Sequence, residues 1–330
     1  MTSLLTSAAD ALFKLNPRLC KDPPRADPDE YCYMGPDGGT EGAVLCKEIP
    51  YSMATCVGSW LLSPTHHIVE GIAVTVVSLL ILARTMPKIY KMTDIPTLNV
   101  HHPVWARGAS FFCFGMVMCY KYFGYPSRVF YVVMPCNMQW ALSFVQCFLI
   151  PTSWQMAQYI LLQMRLTFLM SVVIAIVTPE TEDCTLPFEY IFYWFNHALL
   201  LLLPAAYVAN GSVSCYFNSK TVSTWSLNRL WWEFSCALMA VFYFIPVTLM
   251  AIYSGLNLNF MLHPPHDHFA LKGQWFRVTA VLLLALLFGV SRLLVMGLEK
   301  SVLGRSVTGS NENSTDSPNE AKKTSKSKQN

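Results

Sequence analysis

Charged side chains are scarce in this chain: they make up 13% of its 330 residues, about half the roughly 25% usual in globular domains. Hydrophobic residues reach 53% and mean hydropathy is positive, too apolar for a soluble domain and too long for one anchor. No basic patch is interleaved with aromatics, which argues against nucleic acid as a partner. No cleavable signal peptide is evident. The first 66 residues lack a continuous apolar run, and Lys14, Pro17, Arg18 and Cys20 interrupt the one candidate. There is no Gly-rich phosphate loop, Walker pattern or His-Glu-x-x-His, and no cofactor is expected. No Cys-x-x-Cys pair occurs, so the eleven cysteines do not read as zinc ligands. Cys20, Cys32, Cys46 and Cys56 form one or two disulfides if their region faces an oxidising lumen, and remain thiols in cytosol. Most other cysteines lie in apolar segments, where a thiol is a small buried hydrophobe.

Long apolar runs are what the chain does have. Seven approach the ~20 residues a membrane crossing needs: roughly Ile68–Ala83, Val104–Phe123, Val129–Ile150, Ala157–Thr178, Tyr190–Ala209, Leu230–Tyr253 and Phe276–Leu298. Lipid offers backbone groups no partner, and the runs lack barrel-type alternation, so each reads as a helix. The expected fold is all-α, a polytopic bundle of about seven transmembrane helices. Residues 1–66 form a polar region, 67–300 the bundle, and 301–330 a disordered tail poor in apolar residues.

Basic residues orient the bundle. Arg84, Lys88, Lys91 and Arg107, then Lys220 and Arg229, then the tail lysines, fall on one side of a seven-span chain. Glu180, Glu182, Asp183 and Glu189 fall on the other. The N-terminus is therefore expected in the lumen and the C-terminus in the cytosol. Lys326 and Lys328, fifth and third from the end, resemble a dilysine signal for the endoplasmic reticulum. Asn210-Gly-Ser212 and Asn313-Ser-Thr315 fit the glycosylation pattern but fall on the expected cytosolic side.

Polar groups inside apolar runs are costly, so each is a site candidate. Cys136 and His197 each lie about seven residues from the luminal start of a span, roughly 10 Å deep at ~1.5 Å per residue. The thiol and imidazole fit a nucleophile and its base. Gln163 is a weaker candidate for orienting the imidazole or donating to an oxyanion. Lys121 is near the luminal end of the second span and Glu70 near the start of the first, where it is a candidate partner for Lys121. Asn196 adjoins His197; Asn257, Asn259 and His263 belong to the loop before the last span, as capping or headgroup-binding candidates. His263, His266 and His268 lack a fourth ligand and flank Pro264-Pro265, which reads as a surface loop rather than a metal site. The polar groups are expected to gather in the luminal half.

The run Val129-Phe-Tyr-Val-Val-Met134-Pro135-Cys136 resembles the Pro-Cys segment of the transmembrane protein 164 family. Leu162-Gln163-Met164, Leu186-Pro-Phe-Glu189, Asn196-His197 and Asn257-Leu-Asn259 follow in the same order, with Phe114-Gly115, Lys121 and Gly273-x-Trp275-x-Arg277. The resemblance covers about Glu70 to Leu298 and implies a multi-pass acyltransferase acting on phospholipids, with a distant likeness to androgen-induced lipid hydrolases. It implies Cys136 and His197 as catalytic, and phospholipid and lysophospholipid (including ether lysophospholipid) as substrates. The family's Asn-Pro-Cys-His reads Met134-Pro135-Cys136-Asn137 here. The residues themselves leave open an acyltransferase, a hydrolase with the same pair, a scaffold that lost the chemistry, and a seven-span receptor or carrier.

Overall fold

The computed structural model describes residues 64–91, 102–124, 126–179, 186–209, 224–254, 258–261 and 275–312, with single positions 7, 181 and 184. Among these every regular element is helical, in seven rods. Helix α1 spans Pro64–Tyr90 and α2 Val104–Gly124. The third rod opens with a 3-10 segment, Pro126–Val133, continues as α3, Pro135–Phe144, and ends in a π turn at Val145–Leu149. The fourth divides into α4, Gln155–Thr167, and α5, Leu169–Val177; the fifth is α6, Glu189–Ala209. The sixth joins α7, Thr224–Phe242, through a π turn at Tyr243–Val247 to α8, Thr248–Ser254. A 3-10 turn at Leu258–Phe260 precedes α9, Phe276–Glu312. Helix α9 therefore runs into the stretch expected to be unstructured from residue 301.

Many large apolar residues face outward, around a core that mixes apolar with polar side chains. Leu80, Phe111, Leu202, Leu282 and Leu286 are each at least 60% exposed, whereas Gln139, Gln146, Gln163, Arg165, Arg277 and Arg292 are at most 2% exposed. That inverts the partition of a soluble protein and suits a hydrocarbon surround. Among the described residues four stretches, His66–Tyr90, Gln155–Val177, Trp225–Tyr253 and Phe276–Leu298, are long and apolar enough to cross a membrane. The sequence suggested about seven. Of the remaining rods, the second carries Arg107 and Lys121 and the third is broken at Pro135.

Several rods expected to be continuous are interrupted, each for a local reason. Pro135 pushes Met134 out of the helical region, to φ −59°, ψ 143°, and then occupies the first helical position, where its missing N–H costs nothing. Cys136 therefore sits in the first turn of α3 rather than two turns inside a helix. Between α4 and α5, the Phe168 carbonyl turns aside and accepts from Gln139 Nε2 at 3.2 Å and Ser171 Oγ at 2.6 Å. Around Pro246, Thr248 Oγ1 donates to the Tyr243 carbonyl at 2.8 Å. Neighbouring side chains thus satisfy backbone groups that lipid could not.

Helix α3 is the inner rod, touching α2, α4, α5 and α6; α9 packs on α4 to α7, and α1 lies along α7. The rods alternate in direction. The starts of α1, α3, α6 and α9 therefore share one end with the finishes of α2, α5 and α8.

Candidate active site

At that end a cavity of about 240 Å³ opens between α2, α3, α5 and α6. Cys136 and His197 both line it, with Lys121 and Asn196. Tyr120, Tyr131, Asn137, Ser171, Thr178, Cys184, Glu189 and Tyr193 complete its polar lining. Four of the residues expected at a site are thus brought together by rods far apart in sequence.

The half-buried Cys136 sits where the first-turn N–H groups of α3 have no intrahelical acceptor. Negative charge there is favoured by up to about 2 kcal/mol in partly buried geometry. Asn137, the next residue, donates from Nδ2 to the Tyr131 carbonyl at 2.8 Å and pins the 3-10 segment to the start of α3.

His197, on the third turn of α6, is 4% exposed, and its Nδ1 lies 2.6 Å from the Tyr193 carbonyl oxygen. A carbonyl only accepts, so Nδ1 carries the proton and Nε2 keeps the lone pair, the tautomer a general base needs. The ring lies 4.2 Å from the Tyr193 ring, centroid to centroid, which limits its rotation. Asn196 is 5% exposed, and its Oδ1 has no hydrogen-bond partner among the described residues.

The lining has one cation and one carboxylate among the described residues. Lys121 Nζ lies 4.0 Å from Glu189 Oε1 and 5.9 Å from the Tyr131 ring centroid. Glu189 also accepts the Leu186 N–H at 3.1 Å, closing the start of α6 as a capping group. Phe188, just before it, adopts φ 64°, an uncommon conformation for a bulky residue that gives this turn its shape.

Other expected site residues lie elsewhere. Gln163 is fully buried and is not part of the cavity lining; its Oε1 accepts from Arg292 Nη1 at 2.8 Å. Asn259 is also off the lining; its Nδ2 donates to the Val133 carbonyl at 3.1 Å, steadying the segment that leads into Cys136. Glu70 pairs with Arg277, 3.2 Å away, rather than with Lys121. Asn257, His263, His266, Asp267 and His268 fall outside the described residues, as do the four N-terminal cysteines, both glycosylation asparagines and the terminal lysines. Among the described residues no three His, Cys, Asp or Glu side chains converge as metal ligands.

Sequence reasoning overlooked Glu189 as a site residue, having read it as a loop acid. It also passed over the buried cations Arg165 and Arg292, which the rule used for His197 would have flagged. Nor do polar groups gather only in one half: a second buried cluster surrounds Arg165 towards the opposite end.

The inverted surface and the polar interior define a multi-pass helical membrane protein with a thiol and an imidazole on one cavity. The chain belongs to the TMEM164 family, whose match covers residues 61–295. It is also similar to a protein of Dictyostelium discoideum named transmembrane protein 164 homolog, 26% identical over 172 residues. That alignment takes in 51% of this chain and 57% of the relative, so the chain spans a little over half of the relative's length. No solved structure matches the chain.

Proposed function

We propose that this protein is a membrane-embedded acyltransferase that moves a fatty acyl chain between phospholipids through a thioester on Cys136. Its seven rods span the endoplasmic reticulum membrane, with the cavity towards the lumen. One observation carries the reading: Cys136 and His197, from separate helices, line the same cavity, and the imidazole has its lone pair on Nε2.

The reaction has two halves. The Cys136 sulfur attacks the carbonyl of a phospholipid acyl ester while His197 takes the thiol proton. The C–S bond forms, the C–O bond breaks, and His197 returns the proton to the departing lysophospholipid. In the second half the hydroxyl of another lysophospholipid attacks the thioester, giving its proton to His197, which passes it to the leaving thiolate. Asn196 and the first-turn N–H groups of α3 suit the developing oxyanion. The cavity is smaller than the ~300–1,000 Å³ of sites for drug-sized ligands, so it takes the reacting ester and leaves the acyl tail on the lipid-facing side.

Hydrolysis is the second reading, because Lys121, Asn137, Ser171, Glu189 and Asn196 give the cavity a lining that water can wet. Water would then accept the acyl group. Purified protein in nanodiscs, given a phospholipid with an alkyne-tagged acyl chain, tests both. The expected result is a hydroxylamine-sensitive label on Cys136, absent in Cys136→Ser and formed about 10²–10⁴-fold more slowly in His197→Gln. Added lysophospholipid should discharge it to tagged phospholipid; discharge to free fatty acid alone would assign a hydrolase. Equal labelling of a folded Cys136→Ser protein would end the proposal.

A further inference from the structure

At the far end of the bundle a second thiol meets a second imidazole. Cys147, half-buried in the π turn that ends α3, has its Sγ 3.7 Å from His102 Nδ1. The tautomer follows from the neighbours. Gln158 donates from Nε2 to the carbonyls of Gln146, at 2.9 Å, and Ile150, at 3.0 Å, which fixes its amide. Its Oε1 therefore accepts, and His102 Nε2, 3.1 Å away, carries the ring proton. Nδ1 keeps the lone pair and accepts from the Tyr207 hydroxyl at 2.6 Å, with the Cys147 sulfur as its second neighbour at 3.7 Å.

A buried cation completes the group. Arg165 is 1% exposed, and no carboxylate reaches it among the described residues. Its guanidinium donates to Gln146 Oε1 at 2.8 Å and stacks 5.7 Å from the Tyr207 ring, while its Nε has no hydrogen-bond partner among the described residues. Tyr207 links it to the pair, since the hydroxyl of the same ring reaches His102. A buried cation left short of negative charge favours an anion beside it. A thiolate on Cys147, with its proton on His102, supplies one.

The surroundings indicate what this thiol would meet. Phe148 and Leu149, its immediate successors, are exposed on the lipid-facing surface, and Phe148 stacks with Phe111 at 6.0 Å and Phe144 at 5.1 Å. Exposed Arg107 lies over the Phe148 ring at 5.4 Å. An apolar aromatic track ending at a surface cation suits a reagent with a long acyl tail and an anionic, water-soluble head.

We propose that Cys147 is an S-acylation site, modified by a fatty acyl thioester at the end of the bundle away from the Cys136 cavity. The Cys147 sulfur attacks the thioester carbonyl and its proton goes to His102 Nδ1, from which the Tyr207 hydroxyl turns away. The new C–S bond forms, the donor's C–S bond breaks, and the released thiolate takes the proton from His102. No oxidant or other co-reactant is needed. The site does not depend on the acyltransferase reading.

The test uses full-length Cys136→Ser protein in nanodiscs with an alkyne-tagged palmitoyl thioester of a soluble anionic carrier thiol, labels being mapped by peptide mass spectrometry. Cys119 is an internal control, since it is more exposed and no histidine bonds to it among the described residues. Cys147 should acquire a hydroxylamine-sensitive label at least about tenfold faster than Cys119, and His102→Gln in the same background should slow it about 100-fold, in line with loss of a positioned base. Labelling of Cys147 no faster than Cys119, or unchanged in a folded His102→Gln protein, would overturn the proposal. Should that variant not fold, the comparison with Cys119 decides. Because Cys136 is absent throughout, failure here is separate from failure of the acyl-transfer reading.

Discussion

Asn259 donates from its side-chain amide to the backbone carbonyl of Val133, 3.1 Å away, tying the turn before α9 to the segment that delivers Cys136. Asn259 holds φ 50°, a left-handed conformation that asparagine tolerates and most residues resist. Two substitutions separate the bond from the backbone. Asn259→Gly keeps the conformation and loses the donor, so the melting temperature should change little. Acyl transfer should fall by about tenfold or more, since small misplacements of a reacting group cost up to about 10²-fold. Asn259→Ala loses both and should also unfold earlier, by roughly 1–2 kcal/mol. Unchanged turnover in the glycine variant would show that Asn259 does not position Cys136.

Asn196 allows stability and chemistry to be pulled apart. Its Oδ1 is buried without a hydrogen-bond partner among the described residues, which is a cost to the fold. Asn196→Leu should therefore leave thermal stability equal or raised. Acyl transfer should drop by about 10²–10³-fold if the amide serves the oxyanion. Formation of the Cys136 adduct by rapid quench, alongside a melting curve, is the measurement. A variant that is more stable and equally fast would remove Asn196 from the mechanism.

Lys121 and Glu189 face each other across the cavity at 4.0 Å, long for an ion pair, so the ammonium retains capacity for a second anion. Lys121→Met should raise KM for an anionic phospholipid substrate by roughly tenfold, about 1.4 kcal/mol, with a smaller effect on kcat. Glu189→Gln keeps an acceptor for the Leu186 N–H and so should fold normally. Steady-state kinetics with vesicle-borne substrate distinguishes these outcomes; equal loss of kcat in both variants would make the pair structural.

That Cys136 and His197 come to one cavity was legible because a thiol and an imidazole are conspicuous in apolar runs, and counting antiparallel spans fixes which depths coincide. The same count placed Lys121 at the correct end. What it could not supply was rotation about each helix axis. Gln163 shares a bundle with His197 yet faces Arg292, and only the packing of α4 on α9 decides that. The helix start at Pro135 was in principle visible, since proline favours the first helical turn, but continuous apolarity from Val129 masked it. Cys147 read as a small hydrophobe because its partner His102 lies outside every apolar run and meets it only through the antiparallel packing of α2 on α3.

Arg277 shows how the bundle's ends are held together, and it gives a prediction independent of catalysis. Its guanidinium is fully buried at the start of α9, 3.2 Å from Glu70 on α1, hydrogen-bonded to His67, and 3.2 Å from Thr248 Oγ1 on α8. The Phe244 ring covers it at 4.5 Å. Three rods thus meet on one cation, and the pair's worth is measured by breaking it rather than by counting it. Glu70→Ala strands the guanidinium and should destabilise the bundle by about 3–5 kcal/mol. Removing both charges, as Glu70→Leu with Arg277→Met, should recover most of that loss, because a packed apolar pair avoids the desolvation cost of two ions. Thermal unfolding in a fixed detergent compares the set, and a double variant no more stable than Glu70→Ala would show that shape, not charge compensation, holds these rods together.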